Sequence, residues 1–201
     1  CVSANSNAVT VIVNPTLNAS VSIASDDADN TICSGTSVTF TATPTNGGTT
    51  PSYQWKVNGA NAGTNAATFT STTLVNGDVI TCVMTSNASP CLAGSPATSN
   101  TVTMVVNTRP NPAFIASNVA ALCGGTATLS ATTNDANVGV KWYNSSNSWA
   151  GTGYTLSVTP QSGTILTYYA QAYNLTTGCT ALNNTAVQVI PIKQYTGSGN
   201  W

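Results

Sequence analysis

The sequence predicts an all-β chain of tandem antiparallel β-sandwiches, and three observations carry that prediction. Apolar and polar residues alternate with period two over many short runs, as in Ser37-Val38-Thr39-Phe40-Thr41-Ala42 and Tyr53-Gln54-Trp55-Lys56-Val57. Helical periodicity is absent, and turn residues recur between the runs. A cysteine, a short polar loop and an alternating strand occur three times, the strands being Asn7-Ala8-Val9-Thr10-Val11-Ile12-Val13-Asn14, Asn100-Thr101-Val102-Thr103-Met104-Val105-Val106-Asn107 and Asn184-Thr185-Ala186-Val187-Gln188-Val189-Ile190. Their cysteines, Cys1, Cys91 and Cys179, lie 90 and 88 residues apart, and Trp55 precedes Trp142 by 87, so the repeating unit is one small β-domain.

Taken in order, residues 1–14 read as the closing strand of a preceding repeat, which makes the chain a segment of a longer protein. The first domain, 15–107, is expected to place strands near 19–25, 36–43, 52–57, 66–72, 78–86 and 101–107. The second, 108–192, repeats them near 112–117, 126–132, 138–143, 153–158, 165–173 and 185–191. Asn46-Gly47, Asn58-Gly59 and Asn76-Gly77 supply residues that tolerate positive φ at the turns, while Pro44, Pro51 and Pro90 end ladders. Between the domains, Asn107-Thr108-Arg109-Pro110-Asn111-Pro112 is too short for a flexible tether and its two prolines hold it extended, which predicts domains strung end to end. Residues 193–201 read as a linker and the start of a following module.

Composition then excludes partners. The 201 residues include only four bases (Lys56, Arg109, Lys141, Lys193) and five acids (Asp26, Asp27, Asp29, Asp78, Asp135), against about a quarter charged in ordinary soluble domains. Thr, Asn, Ser, Ala and Gly therefore form most of the surface. Such a surface has almost no Coulomb field, which argues against nucleic acid and against docking on anionic lipid. No run approaches the ~20 apolar residues of a membrane span, so membrane insertion is not expected. Any signal peptide would lie upstream.

Six cysteines without a single His or any CxxC argue for disulfides in an oxidising, extracellular compartment rather than for zinc. Cys33 and Cys123 open matching strands, and Cys91 and Cys179 precede the two closing strands. The economical pairs are Cys33 with Cys91 and Cys123 with Cys179, one disulfide inside each domain. Closing a loop of about 57 residues would contribute roughly 4 kcal/mol on the loop-entropy model. Cys1 would have its partner in the upstream repeat, and Cys82 reads as a buried free thiol near Trp55.

The run Thr31-Ile32-Cys33-Ser34-Gly35-Thr36-Ser37-Val38-Thr39-Phe40-Thr41-Ala42, with Tyr53 to Gly59 and Asn76 to Cys82, resembles the immunoglobulin-like repeats of very large Bacteroidota surface proteins. Cys123-Gly124-Gly125-Thr126, Lys141-Trp142-Tyr143, Thr167-Tyr168-Tyr169 and Gly178-Cys179 resemble a shorter immunoglobulin-like type found in the same proteins. The resemblance covers nearly the whole chain. It implies tandem immunoglobulin-like sandwiches displayed at the cell surface through type IX secretion, in proteins that include gliding-motility adhesins and modular secreted enzymes. It implies no catalytic residue. The tail, with Gly199-Asn200-Trp201, resembles the start of a further extracellular module.

Candidate sites are few. With neither His nor Glu in the chain, a nucleophile would lack an ordinary base, and the Asp residues are scattered, so no catalytic residue and no cofactor are expected. Asp26, Asp27 and Asp29 could offer oxygens to Ca²⁺, with Asx turns as the competing explanation. Trp55 and Trp142 fall on the strand that carries the core tryptophan in such sandwiches. Trp149, after a polar run, is assigned to a loop, and Trp149 with Tyr154 is the candidate aromatic pair for a glycan, set against simple packing over the sandwich end. Few edge-guarding charges are present, which suggests pairing of edge strands with neighbouring domains or self-association into filaments. Glycan cover at the sequons of Asn18, Asn87, Asn144, Asn174 and Asn183 would do the same work. The leading functional reading is a non-enzymatic stalk, adhesin or filament segment. The alternatives are a carbohydrate-binding accessory module of a secreted enzyme and a lipoprotein acylated on Cys1.

Overall fold

Nineteen strands and no helix occur among the residues described by the computed structural model, which are 7, 9–161 and 163–193. Cys1 and Gly199-Asn200-Trp201 lie outside them. The chain divides into two units, Cys1–Val106 and Asn107–Trp201.

The first unit holds β1 (Leu17–Asn18), β2 (Ser20–Ser25), β3 (Thr31–Cys33), β4 (Val38–Thr45), β5 (Ser52–Val57), β6 (Ala60–Ala62), β7 (Thr68–Ser71), β8 (Val79–Thr85), β9 (Leu92–Ala93), β10 (Ala97–Thr98), β11 (Val102–Thr103) and β12 (Val105–Asn107). One sheet runs β2-β4-β7 and the other β10-β8-β5-β6, with β11 also on β8. Alternation explains the layers. Val21, Ile23, Val38, Phe40 and Ala42 point from the first sheet and Trp55, Ile80, Cys82 and Met84 from the second into one core. Phe69 stacks on Phe40 and Trp55 at the edge of this core, and Phe40 tilts against Trp55, with 5.8 to 6.5 Å between centroids. The β5–β6 hairpin turns at Asn58 and Gly59, with φ of 52° and 81°, the positive-φ pair its two-residue connection requires.

The second unit holds β13 (Val119–Leu122), β14 (Ala127–Ser130), β15 (Val138–Asn144), β16 (Trp149–Thr152), β17 (Thr155–Val158), β18 (Leu166–Asn174) and β19 (Thr185–Ile192). Its larger sheet is ordered β13-β19-β18-β15-β16, and β14 pairs β17 in the smaller one, extended by the bridge of Phe114 with Thr132. The core is made of smaller parts: Leu129, Val138, Val140, Ala170, Ala172, Val187 and Val189 surround Trp142.

Several expectations change. Two pairings, β1 with β9 and β13 with β19, are parallel, so the sandwiches are not purely antiparallel. These strands bring a chain segment back along an edge in the same direction, which a hairpin cannot do. The strand expected near 112–117 shrinks to the Phe114 bridge, while Val119–Leu122 forms β13. Pro44 lies inside β4 opposite Val21. It is tolerated because β7 pairs only as far as Thr41, leaving the other side of β4 without a ladder there. Edges are blunted by shortness: β6 has three residues and β16 four.

Candidate functional site

The acidic run of the first unit acts on its own backbone. Asp26 Oδ1 accepts from the Thr39 amide at 3.0 Å, and Asp27 Oδ1 and Asp29 Oδ1 both accept from the Thr31 amide at 2.9 and 3.0 Å. Asn30 turns the chain at φ 55°, so these carboxylates shape the β2–β3 turn. Among the described residues no three His, Cys, Asp or Glu side chains stand together as a metal cage.

Asp78, only 6 % exposed, has a comparable duty that the sequence did not mark. Asn58 Nδ2 donates to its Oδ1 at 2.7 Å, the Val75 amide to its Oδ2 at 2.8 Å, and the Val79 amide to Asn58 Oδ1 at 2.9 Å. This network ties the β5–β6 turn to the start of β8. Asn100 makes a similar bridge, accepting from the Ile23 amide and donating to the Ile23 carbonyl. No buried side-chain nitrogen or oxygen among the described residues lacks a partner, as folded proteins require of buried polar groups.

Cys82 is the buried free thiol expected near Trp55, whereas the two expected cysteine pairs do not form. Cys82, Cys91 and Cys123 are free thiols, while Cys33 and Cys179 are disulfide-bonded. Neither the Cys33–Cys91 nor the Cys123–Cys179 bond forms, and the expected disulfide inside each domain is replaced. The reason is position along the strands. In the first unit β3 pairs β12 at the Val79 end of β8, where the Met104 amide donates to the Asp78 carbonyl. Cys91 follows the opposite end of β8, its carbonyl accepting from the Leu17 amide. In the second unit the Cys123 amide bonds the Ile192 carbonyl beside the Leu166 end of β18, and the Cys179 carbonyl accepts from Asn174 at the other end. Strands of seven and nine residues put roughly 20–30 Å between such poles, far beyond the ~7 Å Cα separation a disulfide spans. Cys82 is buried opposite Trp55; burial pushes its thiol up to about 11, against a lowering hydrogen bond with the Gln54 backbone. It is a protonated, inert packing group at neutral pH.

The aromatic residues divide by face. Trp55 and Trp142 are fully buried, and their Nε1 groups donate to Ala66 and Gly153 carbonyls at 2.9 and 2.8 Å. Trp149 lies in strand β16, not in a loop, and is 66 % exposed. Gly151 opposite Trp142 and a bulge at Trp142/Tyr143 let the short strand pair and turn Trp149 outward. Tyr154 does not join it: its hydroxyl donates to the Val138 carbonyl in the bend after β16. The outward neighbours of Trp149 are instead Tyr143, its cross-strand partner, and Tyr169, which pairs Tyr143 from β18. Period-two phase beside Trp142 marks Tyr143 as outward in the sequence. Its adjacency to Tyr169 and Trp149 depends on strand register, which the sequence does not display. Asn144 and Asn174 accept from backbone amides of their own turns, and Asn87 from the Thr50 amide.

Residues 110–191 match the family described as Ig-like domain CHU_C associated. Among solved structures the chain is similar to the fibronectin(III)-like modules of Clostridium thermocellum CbhA, at 13 % identity and a TM-score of 0.48, over 90 % of this chain and 98 % of that one. It is also similar to Rst D1-D2, at 12 % identity and a TM-score of 0.36, over 81 % and 94 %. No curated protein matches the chain.

Proposed function

We propose that the chain is a non-enzymatic structural segment of a long extracellular surface protein, a stalk that spaces or presents other modules. The observation that carries this reading is the closing-strand pattern in three settings. In the first unit it buries Val102, Met104 and Val106, and in the second Val187 and Val189. At residues 9–13 the same pattern leaves Val9, Val11, Ile12 and Val13 between 77 and 85 % exposed. Branched aliphatic side chains in that phase are suited to completing a further sandwich upstream, as in a serial array.

Two further observations support it. Polar side chains serve turns and strand ends, and the chain has neither His nor Glu for acid–base work. Cys33 and Cys91, and likewise Cys123 and Cys179, lie at opposite poles of their sandwiches, where a cysteine is placed to bond outside its own fold. Oxidised cysteines fit an oxidising compartment. The resemblance to Bacteroidota repeats adds export by type IX secretion and an anchor to the cell surface.

Single-molecule stretching of the chain with its natural upstream sequence, under reducing conditions, tests the stalk. The expected trace is a series of separate unfolding events, each releasing roughly 300 Å for about 90 residues at ~3.5 Å per residue. A smooth extension without discrete events would sink the reading.

A further inference from the structure

On the outer face of the second unit's larger sheet three aromatic residues share one cross-strand row. Tyr143 on β15 pairs with Trp149 on β16 and with Tyr169 on β18, and cross-strand partners share a face. Trp142 and its partner Ala170 point inward and are fully buried, so the row one residue on points outward. Trp149 is the most exposed, and Tyr143 and Tyr169 are half-buried. At about 4.8 Å between strands the row spans roughly 10 Å. One row over, Lys141 pairs with Gln171 and Thr152. Lys141 Nζ lies 4.6 Å from the centroid of the Tyr173 ring. That ring rests on Gly139, where a Cβ would come within 2.8 Å of it. The ammonium is thereby drawn over Tyr173, on the side of Lys141 away from the row.

The fold does not call for these rings. In the first unit the same lattice positions, one residue beyond the buried Trp55, hold Lys56 with its partners Asn61 and Thr81. The first unit forms this ladder without a bulge and with polar side chains, whereas the second has a bulge and aromatic ones.

We propose that this face binds a neutral polysaccharide, with Trp149, Tyr143 and Tyr169 stacking against sugar rings while Gln171 and, farther from the row, Lys141 hydrogen-bond hydroxyls of the chain. A sugar ring offers apolar C–H faces and a polar rim, which a line of flat rings flanked by donors complements. Charge selects for a neutral chain: a single cation lies on the face and the whole protein carries a net charge of −1. The site stands apart from the stalk role, and a stalk without it remains a stalk.

Native affinity electrophoresis of the intact chain through gels containing hydroxyethylcellulose, xyloglucan, xylan, galactomannan or amylopectin tests the proposal. Retardation by at least one of the five is expected. Trp149→Ala should weaken it roughly tenfold or more, as for a central aromatic contact, and Lys141→Ala by a smaller factor. Tyr154→Ala, outside the row, should leave it unchanged. Circular dichroism melting of each variant separates loss of contact from loss of fold. Absence of retardation on all five polymers overturns the proposal, as does retardation indifferent to Trp149→Ala. Self-association in sedimentation velocity that Trp149→Ala abolishes, without retardation, would assign the face to a second copy and overturn it equally.

Discussion

In the first unit the large rings point inward, and in the second three of them form an outward row. Phe40, Trp55 and Phe69 pack together beneath a surface of Lys56, Asn61 and Thr81. The second unit keeps Trp142 inward among Leu129, Ala170 and Ala172, with Tyr168 packed against that core, and carries Tyr143, Trp149 and Tyr169 outside. Interior and exterior of a pleated sheet are separate choices, because period two assigns them to different residues. What the interior needs is volume and alternation. What the exterior carries is therefore informative about contacts made outside the fold.

The largest expected effect tests the interior half of this contrast. Removing Trp55 or Trp142 deletes a fully buried ring and its hydrogen bond to Ala66 or Gly153, a loss of about 3–5 kcal/mol. The two sites should respond differently. Phe40 and Phe69 can lean into the space left by Trp55, whereas Ala170, Ala172 and Gly151 around Trp142 have no reach. Trp142→Ala should unfold the second unit at room temperature, and Trp55→Ala should leave the first unit folded with a lowered transition. Calorimetry of both variants decides it; equal losses, or collapse only with Trp55→Ala, would refute the packing difference.

The inward set was open to a reader of the sequence because alternation around a tryptophan is local. The strand expected at 52–57 coincides with β5, and 185–191 falls within β19 by one residue. What escaped depends on neighbours. β16 has Ala150 and Gly151 where strand formers would be expected, and it exists because β15 supplies its ladder. β13 is held by a parallel partner 70 residues away in sequence, at Val119 and Val189. The cysteine recurrence suggested matching places in the two units without saying which pole of a sandwich each place occupies. Only the strand lengths between the poles exclude the two intradomain bonds. Likewise, Tyr143 and Tyr169 become neighbours through register alone.

A smaller effect singles out the first unit by pH. Cys82 opposes Trp55 where the second unit has Ala170 opposite Trp142. Burial raises the folded thiol from 9.0 to about 11, so the folded state keeps a proton that the unfolded state releases first. The stabilisation is complete below pH 9 and disappears as pH rises through about 11, on the order of 1 kcal/mol after allowance for solvent relaxation. Tyr53, raised by burial and then by Cys82, titrates in the same sense. Denaturant melts at pH 8 and pH 11 should show the first unit of the native sequence losing more stability than that of Cys82→Ala. Parallel losses in the two proteins would mean that the thiol is not a partner in the alkaline transition.

The smallest effect on stability bears on the exterior half. If the outward rows are free choices, exchanging them should cost little. Lys56→Tyr, Asn61→Trp and Thr81→Tyr together in the first unit, or Tyr143→Lys, Trp149→Asn and Tyr169→Thr in the second, should shift each unit by less than about 1 kcal/mol, as surface substitutions do. A larger loss on stripping the second unit would show that its rings cover a core too lightly built without them, and the contrast would become one of packing rather than recognition. A small loss, with polysaccharide retardation moving from the second unit to the first along with the rings, would show that the row itself suffices. Lys141 and Gln171 would then tune the contact, since the first unit has Gln54 opposite Val83 in their place.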